Sequence, residues 1–165
     1  MAKMQLQITD LLAASGKAYR IGKFAPDAHQ YIDRDYTFDH VPEFLEGACH
    51  ILTAGDDKMI DEDEPCVSFH ADRPVSVYVV YADKLRVLPK WLREFTDTRE
   101  KVTRDDSDTT TLKGIFTLFA RNFDAGPIIL KGNLAPAMRN DPMFVARGGG
   151  TYCMYSVAVA EKTGV

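Results

Sequence analysis

Apolar residues along this chain come in short runs that either alternate with polar ones every second position or continue unbroken for five to eight residues. Eight such runs stand out: Ala18 to Phe24, Tyr36 to Val41, Ala48 to Thr53, Cys66 to Ala71, Val75 to Ala82, Leu112 to Ala120, Pro127 to Lys131 and Tyr152 to Ala160. Turn signals separate them, among them Ser15-Gly16, Ala54-Gly55-Asp56-Asp57, Asp72-Arg73-Pro74, Asp124-Ala125-Gly126 and Gly148-Gly149-Gly150. No long segment keeps the i, i+3, i+4, i+7 spacing of an amphipathic helix. The stretch Pro89 to Phe95 suits one or two helical turns with Trp91 and Phe95 on one side, and reads as a structured connection. The pattern predicts about eight antiparallel strands and little helix.

The clearest predicted hairpin runs from Cys66–Ala71 through Asp72-Arg73-Pro74 into Val75–Ala82. In its second strand Val75, Val77, Val79 and Tyr81 share one face, and Ser76, Tyr78, Val80 and Ala82 share the other. Both faces are apolar, as in a central strand whose outer face is covered or carries an aromatic binding surface. Two charged stretches, Asp56 to Glu64 and Asp97 to Thr111, read as loops. At 165 residues, without a repeat or linker, the chain fits one domain over 1–165, built as an all-β, antiparallel two-sheet β-sandwich of jelly-roll type.

Composition sharpens this picture. Valine, isoleucine, threonine and the aromatics make up 49 of 165 residues, a mix suited to pleated surfaces. The formal charge of −4, with no clustered Lys and Arg, excludes a broad nucleic-acid groove. The longest apolar run, Val77 to Ala82, is six residues where a membrane helix needs about 20, so no membrane partner is expected. Three cysteines, Cys49, Cys66 and Cys153, cannot form a complete disulfide set and read as small buried hydrophobes. The first ten residues lack the apolar stretch of a secretory leader, so the chain as written reads as cytoplasmic.

Four stretches together resemble a known kind of module. They are Tyr31 to Phe38 followed by Val41-Pro42; Leu45 to Ala54 with Asp56-Asp57-Lys58; Val75 to Asp83 with Pro89-Lys90-Trp91-Leu92; and Ile129 to Leu134 leading to Met154 to Val157. In order and spacing they are similar to jelly-roll β-sandwich modules of large secreted bacterial proteins, which bind carbohydrate or serve as accessory domains beside polysaccharide-degrading enzymes. The resemblance implies a non-catalytic role: binding a glycan or packing against a neighbouring domain or a second copy.

The candidate ligand residues are Trp91, Tyr81, Tyr78, Arg34 and Asp33. Flat aromatic rings stack on the C–H faces of sugars while polar groups fix the hydroxyls. The sole tryptophan, Trp91, reads first as a core or corner residue and second as such a platform. Asp33 and Arg34 suit a carboxylate–guanidinium pair, either holding a strand entrance or orienting a ligand hydroxyl. The acids Asp56, Asp57, Asp61 and Asp63 offer oxygens to calcium, although the segment lacks the mid-loop glycine and terminal acid of an EF-hand; a solvated acidic loop is the plainer reading. No cofactor is required by any motif.

Motifs for catalysis are sparse. His29, His40, His50 and His70 show no H-x-H or H-E-x-x-H spacing, and no G-x-S-x-G, P-loop or G-x-G-x-x-G occurs. A small hydrolase or lyase would have to bring His50 and His70 together from adjacent strands with Asp39 or Asp72. Cys49 and His50 are poorly placed as a nucleophile pair, because consecutive strand residues point to opposite faces.

Overall fold

Residues 5–85, 87–105, 114–140 and 153–162 are described by the computed structural model of this protein. Among them the chain forms ten strands: β1 (Ile8–Ala13), β2 (Arg20–Lys23), β3 (Thr37–His40), β4 (Cys49–Leu52), β5 (Pro65–Ala71), β6 (Val75–Ala82), β7 (Thr96–Asp105), β8 (Gly114–Phe123), β9 (Gly126–Lys131) and β10 (Ser156–Glu161). Among the described residues the helical elements are short 3-10 turns at Glu43–Leu45, Gly55–Met59, Lys90–Glu94 and Pro136–Asn140, none long and apolar enough to cross a membrane. The predicted turn at Gly148-Gly149-Gly150 lies outside the described residues, as do residues 106–111 of the predicted loop Asp97 to Thr111.

Among the described residues the strands pair antiparallel, in a three-stranded sheet ordered β1-β5-β9 and a seven-stranded sheet ordered β2-β4-β10-β6-β8-β7-β3. The two-sheet sandwich read from the sequence is the observed fold. The predicted β5–β6 hairpin is not: β5 belongs to the small sheet and β6 to the large one, so Asp72-Arg73-Pro74 is an arch between sheets. That connection has no Gly or Asn to supply the positive φ of a two-residue hairpin turn. It is tied down instead by Arg73, which pairs with Asp72 at 3.0 Å and with Glu161 at 3.5 Å. The first core lies between the sheets, where Val75, Val77, Val79 and Tyr81 of β6 meet the small sheet's Val67, Phe69, Ile128 and Leu130, all at most 2% exposed.

The large sheet is rolled. β3 stands five strands from β4 in the sheet order, which is about 24 Å if the sheet were flat. Yet the rings of Phe38 on β3 and His50 on β4 are only 5.1 Å apart. Phe24 lies 5.0 Å from Phe38 and 5.6 Å from His50, so the segment after β2 plugs the roll. This second core explains why both faces of β6 are apolar: one faces the small sheet, the other faces the inside of the roll or, at Tyr78, packs against Phe44.

Two strands escaped the sequence reading. β7 was expected to be a loop, because its residues Thr96–Asp105 are mostly charged. It pairs with β8 on either side of a bulge and, near its end, with β3; among its described side chains Val102 and Arg104 are buried. Arg104 is 4% exposed, with its guanidinium 4.0 Å from the Tyr36 ring centroid and 5.4 Å from that of Phe116. β1 pairs with β5. In both β1 and β7 a bulge with a positive φ, at Asp10 (54°) and Arg99 (64°), interrupts the two-residue alternation.

Candidate functional site

The 3-10 turn after Pro89 places Trp91 where the end of β8 meets the edge strand β9. Trp91 is half-buried; its ring sits edge to face with Phe95 at 5.7 Å and with Tyr155 at 5.5 Å. Its indole N–H donates to the carbonyl of Gly132 at 2.9 Å. Phe95 continues the aromatic row to Phe123 at 6.1 Å. Around these rings lies a solvent-open groove of about 430 Å³, also lined by Lys90, Glu94, Arg121, Ile129 and Lys131. Arg121 is held by Glu94 at 3.0 Å and lies 5.2 Å from the Phe123 centroid. Lys90 pairs with Asp63, a hydrogen bond that raises the pKa of its ammonium.

The other expected ligand residues do not join this groove. Tyr81 is 1% exposed and donates to the Asn133 carbonyl at 2.8 Å, which corrects its assignment as a surface aromatic. Burial raises its pKa well above that of a free phenol. Tyr78 points to the opposite face of β6 and packs against Phe44. Asp33 accepts the N–H groups of Gly55 at 2.7 Å and Asp56 at 3.0 Å, and Arg34 bridges to Asp56 at 2.6 Å. The Arg34 hydrogen bond holds the Asp56 carboxyl below its ordinary pKa. The pair is thus bonded to the start of the 3-10 turn Gly55–Met59, and not to a strand entrance.

The four acids offered to calcium are dispersed among other partners. Asp57 is 3% exposed and accepts from Ser15 at 2.7 Å, from Lys17 at 3.0 Å and from the Tyr19 hydroxyl. Asp56 pairs with Arg34, Asp61 accepts the Asp63 N–H at 3.0 Å, and Asp63 pairs with Lys90. Among the described residues no three His, Cys, Asp or Glu side chains converge as a metal site would require.

His50 and His70 lie on β4 and β5, in different sheets, which corrects the expectation that their strands adjoin. His50 is fully buried between Phe24 and Phe38, and burial lowers its pKa to about 3. His70 is exposed. Burial raises the Cys49 thiol, and pushes that of Cys66 up to about 11.

No protein-family profile matches this chain, and no curated protein sequence matches it. Solved structures do. A β-glucuronidase from glycoside hydrolase family 2 superposes with a TM-score of 0.71 and 20% identity, over 94% of this chain and 15% of that one. An enzyme of glycoside hydrolase family 138 targeting pectin rhamnogalacturonan II gives a TM-score of 0.57 and 12% identity, over 99% of this chain and 18% of that one. This chain is a β-sandwich module like those within glycoside hydrolases. At such identities the likeness is one of fold, and the chain spans less than a fifth of the length of either enzyme. Trp91 and its spacing to Phe95 are legible in the sequence, whereas Phe123, Arg121 and Lys131 are not. These come from two other strands, and no local motif joins them to Trp91.

Proposed function

We propose that this chain is a non-catalytic carbohydrate-recognition module that binds through the Trp91 groove. The observation that carries this reading is the row of three rings, Trp91, Phe95 and Phe123, lining one open groove of about 430 Å³ with charged side chains among them. Apolar surface for a sugar's C–H face beside groups that bond its hydroxyls is the chemistry a saccharide site needs. The fold it shares with parts of two glycoside hydrolases supports the same class of ligand. Because Trp91 is the only tryptophan, its fluorescence reports directly on the groove. Titration with a panel of plant and bacterial oligosaccharides is expected to shift or quench that emission, with a matching calorimetric heat. A panel that changes neither signal overturns the reading.

A second reading, docking against a neighbouring domain or another copy, is favoured by one observation. Leu12 and Ile129 are 63% and 61% exposed, and they flank Ser68 in register across the outer face of the small sheet. Light scattering separates the two: a stable oligomer that Leu12→Lys and Ile129→Lys dissolve, in a protein blind to saccharides, favours docking.

A further inference from the structure

We propose that the Trp91 groove takes an anionic saccharide, a uronic acid whose ring lies on the open part of Trp91 and whose carboxylate is met by Lys131 and Arg121. This rests on the recognition reading above and adds the charge class of the ligand. The groove is lined by three cations, Lys90, Arg121 and Lys131, against one acid, Glu94, in a chain whose formal charge is −4. The cations are not equivalent. Lys90 is neutralised by Asp63 and Arg121 is engaged by Glu94. The Lys131 ammonium has neither an ion pair nor a hydrogen bond among the described residues, and it stays solvated at the rim.

Lys131 is also well placed. On β9 it projects outward with Ile129, while Ile128 and Leu130 point into the core. Its carbonyl accepts the Tyr155 hydroxyl at 2.7 Å, and the next carbonyl, that of Gly132, accepts the indole N–H of Trp91. The backbone bearing the ammonium is thus bonded to the same aromatic cluster that lines the groove. Arg121 brings a planar fork with N–H donors beyond the one used by Glu94, and it lies over Phe95 and Phe123 at 5.9 and 5.2 Å. A neutral sugar leaves the Lys131 charge unused. A carboxylate completes it, while the sugar ring covers the rings below.

The test compares tri-galacturonic acid with its fully methyl-esterified form, which keeps the ring and removes the charge. Binding is read by Trp91 fluorescence and by calorimetry at 20 mM and 300 mM salt. The acid is expected to bind about fivefold tighter at low salt, with the preference shrinking at high salt. In Lys131→Gln and in Arg121→Gln the preference for the acid should shrink, in the double variant it should vanish, and the ester should bind as before. Equal affinity of acid and ester overturns the charge inference while leaving saccharide recognition standing. A preference for the acid that survives in the double variant also overturns it, by placing the charge reader elsewhere. No response to either trisaccharide removes this inference; failure across the whole neutral and acidic panel removes the recognition reading with it.

Discussion

The indole N–H of Trp91 is bonded to the carbonyl oxygen of Gly132 across 2.9 Å, and the carbonyls on either side are held in the same way. Tyr155 donates to Lys131 at 2.7 Å and Tyr81 to Asn133 at 2.8 Å, so three consecutive carbonyls each receive an aromatic donor from a different part of the chain. Trp91 is therefore both a strut for the end of β9 and a wall of the groove. The core reading of the lone tryptophan rests on its bonded indole N–H and its contacts with Phe95 and Tyr155, and the proposed ligand contact would use the part of the ring left open to the groove.

That double role predicts a graded response. Trp91→Phe keeps a flat ring but leaves the Gly132 carbonyl without its donor, which should cost about 1 kcal/mol of stability. Trp91→Ala also removes packing against Phe95 and Tyr155 and should cost about 3 kcal/mol. Urea denaturation followed by circular dichroism measures both. Calorimetric saccharide binding should weaken in Trp91→Phe and vanish in Trp91→Ala; full binding by a folded Trp91→Ala would remove the ring from the site.

Gly132 is sterically irreplaceable. A Cβ built there would stand 2.0 Å from the Asp61 carbonyl oxygen and 2.3 Å from that of Ile60, both backbone atoms that cannot swing aside. Gly132→Ala should destabilise the protein by roughly 3 kcal/mol or more, since the Ile60–Asp61 backbone must move away to admit the methyl group. A thermal midpoint within a degree or two of the parent would contradict this contact.

His50 makes stability depend on pH. Among the described residues neither ring nitrogen has a hydrogen-bond partner, and the faces around it are the rings of Phe24 and Phe38. Its pKa falls to about 3 in the folded protein, from the ordinary 6.5. Between those values the unfolded chain binds the extra proton, so stability is complete above pH 6.5 and declines as pH falls toward 3. The expected loss is about 2 kcal/mol by pH 5. His50→Phe should be near neutral at pH 7.5 and should flatten the decline between pH 7 and 5, as read from urea midpoints. An unchanged slope would assign the acid sensitivity to other groups.

Asp57 should matter for folding and not for calcium. It is buried with Ser15, Lys17 and Tyr19 directed at it, so Asp57→Ala strands the Tyr19 hydroxyl and should cost about 2–4 kcal/mol. With its oxygens occupied, 5 mM calcium or excess EDTA is expected to leave the melting temperature unmoved. A rise of several degrees with calcium would restore the acidic segment as a metal site.

Much of the architecture was legible because strand burial writes itself into a two-residue period. The run Val75–Ala82 coincides with β6, and the seven other runs contain or overlap a strand by all but a few terminal residues. β1 and β7 were invisible because their bulges at Asp10 and Arg99 break that period. β7 was hidden further by a surface of charges whose pairing with β8 and β3 no local pattern announces. The site was less legible than the fold. Trp91 and Phe95 share a turn of chain, but Arg121, Phe123 and Lys131 join them from β8 and β9.

The amino-acid sequence by itself determined the strands other than β1 and β7, their packing as two antiparallel sheets, and the structured connection that carries Trp91. Alternation and turn chemistry act between near neighbours along the chain and can be read there. Only the tertiary structure decided that β5 and β6 part into different sheets, that the large sheet rolls until Phe38 reaches His50, and that Tyr81 is sealed while Lys131 is left open. Those outcomes depend on which apolar faces cover one another, a choice made between residues far apart in the chain and so written in no single stretch of it.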